Sequence, residues 1–195
     1  MSLPLARCVE MVARLLEGCG PLAPVRLCMS GPDVQAEVCA GEPAASLSMA
    51  RLAAATGGRP AGPDGGHTDG VLTADLEGGV TLVAAVDPLS PGTTAGPRTT
   101  STAGAAALLR TLAPWAEALD QELLPGPQLW VEDHGREFTV QLLATTASED
   151  EMVRVAAAAG TGLERVRTWR TDSGLDGRGS LPDGLTVHLG VVCLP

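Results

Sequence analysis

Between Leu5 and Glu17 the apolar residues fall at Leu5, Cys8, Val9, Val12, Leu15 and Leu16. That three-and-four spacing predicts an amphipathic helix, and Gly18 and Gly20 end it. Two short strand-like runs follow, Pro24 to Met29 and Val34 to Ala40, separated by the turn-forming Ser30 to Asp33, the pattern of a hairpin. Ser46 to Thr56 is helical by propensity and stops at Gly57-Gly58. Gly57 to Gly70 is dominated by Gly and Pro and reads as an exposed loop. Val71 to Leu76 and Val80 to Val86 then predict a second hairpin across Glu77-Gly78-Gly79, followed by another loop-like stretch from Leu89 to Thr102.

Ala103 to Leu124 is the longest predicted helix, with Leu108, Leu109, Leu112, Trp115, Ala116 and Leu119 on its apolar face. Pro114 lies inside it and predicts a kink or a restart, because Pro removes a backbone donor and clashes with the preceding turn. Pro125-Gly126-Pro127 ends the helix and marks a boundary. The order then recurs. Gln128 to Glu132 and Glu137 to Leu143 predict strands. Ser148 with Glu151 three residues on forms a capping-box pattern that opens another helix. Arg165 to Thr171 and Leu185 to Leu194 predict strands separated by a Gly-rich loop, Asp172 to Gly184.

The recurrence extends to letters. Residues 49 to 57 (MARLAAATG) and 152 to 160 (MVRVAAAAG) share six of nine residues in register, and Gly79, Thr81 and Val86 align with Gly184, Thr186 and Val191. The expected fold class is therefore α+β: two similar helix-hairpin-helix-hairpin units with antiparallel sheets and helices packed on one face. The expected division is an α+β unit over 1–124 and a second, shorter one over 125–195, a duplication that shares the 103–124 helix.

Composition narrows the chemistry. The chain has no Ile, Lys, Asn or Tyr and a single Phe, Phe138, so Leu, Val, Ala and the three Trp must fill its core. Without Lys there is no Schiff-base or phosphate-loop lysine, and without Tyr no phenolic acid or base. The formal charge of −10 divides evenly between the halves, which argues against nucleic acid and against an anionic membrane surface. Arg7, Glu10, Arg14 and Glu17 interrupt any signal-peptide core, and the expected location is cytoplasmic. The five cysteines form no C-x-x-C pair and are expected as reduced thiols.

No catalytic, metal or cofactor site is expected. His67, His134 and His188 are dispersed over loop, turn and strand, and the 57–70 loop lacks the G-K-[ST] of a phosphate cradle. One feature departs from the acidic average: Arg165, Arg167 and Trp169 alternate with Val166 and Thr168, so on a strand two guanidinium groups and an indole share a face. These three are the candidate partner-binding residues, a patch for an acidic or aromatic segment of another protein.

The helix, hairpin, helix, hairpin, helix order of residues 5 to 124, with Leu52 to Thr56, the strands within Val71 to Val86 and the Leu108 to Leu124 helix carrying Trp115, resembles bacterial type III secretion chaperones and YbjN-like proteins. That resemblance implies a non-enzymatic adaptor that binds an extended segment of a partner protein, often as a homodimer. Val71 to Leu124, where a hairpin leads through Pro91-Gly92 into a long helix, also resembles the end of a GAF domain, which implies a stand-alone small-molecule sensor.

Overall fold

The computed structural model describes residues 3–61, 71–87, 102–121, 127–133, 138–146, 148–160, 162–182 and 184–193. In chain order the elements are α1 (Leu5–Cys19), β1 (Val25–Ser30), β2 (Asp33–Val38), α2 (Ala44–Thr56), β3 (Arg59–Ala61), β4 (Val71–Leu76), β5 (Val80–Val86), α3 (Thr102–Gln121), β6 (Gln128–Asp133), β7 (Phe138–Thr146), α4 (Glu149–Gly160), β8 (Glu164–Thr171), β9 (Gly174–Ser180) and β10 (Thr186–Cys193). The ten strands make one sheet in the order β3-β4-β5-β2-β1-β6-β7-β10-β9-β8.

This order overturns the expected fold class. In place of two helix–hairpin units with antiparallel sheets there is a single mixed sheet that dominates the molecule, with β2–β5 and β7–β10 parallel. Pairing neighbouring runs into hairpins finds only local partners, whereas both parallel ladders join strands separated by a helix and further strands. Two strands also fall where the sequence predicts loop. β3 begins the 57–70 stretch, and β9 lies within the Gly-rich 172–184 segment. The expected boundary at residue 124, and most of the 57–70 and 89–102 stretches, lie outside the described residues.

The strand order reads the same from either edge when β6, β7, β8, β9 and β10 stand for β1, β2, β3, β4 and β5. The register follows it: Leu72 pairs with Ala84 in β4–β5, and Gly177 with Leu189 in β9–β10, each residue 105 positions further on. At the centre β1 and β6 run antiparallel, with Leu27 opposite Val131 and Met29 opposite Leu129, so a pseudo-twofold axis passes through the Cys28–Trp130 pair.

Period-two alternation gives the sheet two unlike faces. Val25, Leu27 and Met29 of β1, Val34, Ala36 and Val38 of β2, and Val140, Leu142 and Ala144 of β7 are buried on one of them. There α1, α2 and α4 pack on the strands, and α3 lies against α1 and α4. The buried stripe of α1, from Leu5 to Cys19, meets Leu109, Leu112, Trp115 and Ala116 of α3 in one core. Helix α3 runs through the exposed Pro114 without interruption, so the kink or restart expected there does not divide it. Pro4 precedes α1 and offers no capping side chain. The carboxylate of Asp120, at the far end of α3, accepts the Leu5 and Ala6 amides at 2.8 and 2.9 Å.

Candidate functional site

The opposite face of the sheet carries no helix among the described residues, and its side chains follow the pairing as rows across the strands. In its middle Arg26 lies between Glu37 of β2 and Glu132 of β6, with N–O distances of 2.8 and 2.6 Å. The hydrogen bond to Glu132, and then that to Glu37, hold the guanidinium further up in pKa against its partial desolvation. Beside it is a shallow hollow of ≈ 200 Å³ lined by Arg26, Trp130, Glu132, Thr139 and Gln141. Its one cation already has two carboxylate partners. The Trp130 Nε1 is buried without a hydrogen-bond partner. On the helix side a void bounded by Leu16, Leu27, Ala105 and Phe138 has only ≈ 10 Å³, about the space of one water, so it gives no support to a sensor pocket there.

Toward the β8 end of the open face the arrangement is different. Arg167 of β8 stands opposite Arg178 of β9, and Arg178 stands opposite His188 of β10. In the adjacent row Trp169 stands opposite Asp176, and Asp176 opposite Gly190. Like charges directly opposed across a ladder destabilise it. The ion pairs of the described residues involve neither Arg167 nor Arg178. Each of the eight residues of β8 is exposed, and Trp169 has 49% of its surface open.

Arg167 and Trp169 thus share the open face, as alternation predicts. Arg165 does not continue the pattern. It adopts φ 56° within a register shift between Glu164 and Arg167, so it stands outside the ladder that aligns the other two. Arg170 belongs to the helix side, where its guanidinium pairs with Glu149 at the start of α4. The sequence reading missed Arg178 and His188 as members of this cluster. Arg178 lies between Gly177 and Gly179 and was hidden in a segment that looked like loop, and His188 joins it only through the long-range β9–β10 pairing.

None of the four described thiols is set up as a nucleophile. Burial, with Asp33 and Asp120 adding to it, pushes Cys8 up to about 12, and burial pushes Cys19 up to about 11. Cys28 and Cys39 are also raised, chiefly by burial. At neutral pH such groups stay protonated, and the thiolate is the reactive form. Among the described residues no three His, Cys, Asp or Glu side chains group to hold a metal ion, and no helix is long and apolar enough to cross a membrane. No family model matches the chain, and no curated protein matches it in sequence.

Proposed function

We propose that this chain is a non-enzymatic protein-binding adaptor, chaperone-like in action, whose β8–β9–β10 corner receives an acidic segment of a partner protein. The observation that supports this reading is the row Arg167, Arg178 and His188, whose two arginines form no ion pair among the described residues, beside the half-exposed Trp169, on a chain of net charge −10. Two opposed guanidinium groups are a cost to the isolated sheet, and an incoming carboxylate removes it. Arg and Trp are also the side chains that most often dominate protein interfaces.

The test is affinity capture of partners by the intact chain and by the Arg167→Ala/Arg178→Ala variant, with circular dichroism to show that both are folded. Loss of at least tenfold in partner affinity, about 1.4 kcal/mol, together with weakening of wild-type binding at high salt, is the expected result. Equal retention by a folded variant would remove the corner from any role in binding.

A further inference from the structure

The sheet ends in two edges that are built differently. β3 is three residues long and contains Pro60, which has no amide hydrogen to offer; a short edge with Pro is closed to further pairing. β8 is eight residues long, contains no Pro and is exposed throughout. From Arg167 to Thr171 it keeps regular register with β9, and only the bulge at its start interrupts pairing. Its outer rim therefore presents backbone donors and acceptors with no strand beyond them among the described residues. Resting on the adaptor reading, we infer that the partner's acidic segment binds in extended form as an eleventh strand on β8.

The side chains of β8 determine what such a strand must carry. Arg167 and Trp169 project to the open face, and Arg170, three residues from Arg167, projects to the other. A segment laid along this edge meets a guanidinium on each of its faces and an indole on one. It fits with two carboxylates three residues apart and an apolar residue two positions from the carboxylate that faces Arg167. The Arg170–Glu149 pair is exposed on both sides, so exchange of Glu149 for a partner carboxylate costs little. A second copy of β8 fits poorly, because it brings three more guanidinium groups and a single carboxylate, Glu164, to the same seam.

The probe is a fluorescein-labelled peptide of three Glu-Thr-Val repeats, which has the required spacing, titrated with the full chain by fluorescence anisotropy. Two further copies carry N-methyl groups on alternate backbone amides, one copy on the odd and one on the even positions, with charge unchanged. The unmodified peptide should bind wild type and lose affinity for Arg167→Ala/Arg178→Ala. One methylated copy alone should bind wild type roughly 30-fold more weakly, because only one edge of the added strand faces β8 and about two hydrogen bonds are lost. Equal affinity of both methylated copies, whether retained or lost, with the dependence on the two arginines intact, would overturn strand addition and leave the acidic-segment reading in place. Absence of binding to wild type, or binding indifferent to the two arginines, would overturn both.

Discussion

An ideal Cβ placed on Gly174 would stand 2.0 Å from the backbone oxygen of Val191, and one on Gly179 would stand 2.8 Å from the Leu163 side chain. β9 packs this closely only because it lacks side chains at those points. Glycine is ordinarily a mark of loop, so the feature that lets β9 pair also concealed it, and Arg178 with it. Gly174→Ala should lower stability by about 2–3 kcal/mol, seen as a reduced Tm, since backbone must move to admit the methyl group. Cys8 leads to a pH effect. Its folded pKa, about 12, lies above the ordinary 9.0, so the neutral thiol is the form the fold favours. Below pH 9 both states are protonated and the group adds no pH dependence. Between 9.0 and about 12 the unfolded thiol ionises first, and stability falls by up to roughly 1.4 kcal/mol per pH unit. Denaturant midpoints taken across that range should fall less steeply for Cys8→Ala than for wild type.

At the scale of elements, spacing alone located most of the secondary structure. The α1 stripe, the β1–β2 and β4–β5 hairpins and the start of α4 at Ser148 follow from three-and-four spacing, alternation and a capping residue, and the Glu151 amide does donate to the Ser148 hydroxyl at 3.3 Å. Strand partners were not legible in that way, because alternation shows that Val34 and Leu82 each have a buried face but not that they are neighbours. Nor could local sequence show that α1, which follows a proline with no side chain to cap it, takes its cap from Asp120, more than one hundred residues away. Asp120→Ala should cost about 1–2 kcal/mol, read as a shift in the urea midpoint, by leaving the Leu5 and Ala6 amides without that carboxylate and without its charge at the helix N-terminus. Asp120→Asn should recover part of the loss through hydrogen bonding alone.

For the molecule as a whole, continuity of the sheet matters more than the succession of elements. The seam between the halves is made by Leu27 opposite Val131, Met29 opposite Leu129 and the Arg26–Glu132 pair, with α1 packed on α3 above it. Both halves therefore share one core, and unfolding should be a single transition in which circular dichroism and tryptophan fluorescence coincide. Leu129→Ala, which opens a cavity at the seam, should cost about 2–4 kcal/mol of stability and lower that one midpoint without separating it into two; separate transitions would show that the halves fold independently. In a pair of identical chains, both outer rims would have to be alike, and an open rim at each end would let strands be added from two directions. Here the halves belong to one chain, and the rims differ: β3 is shut by its length and its proline, and β8 is open. On the reading proposed above, strands add to this sheet at one rim only, so it can be extended in a single direction.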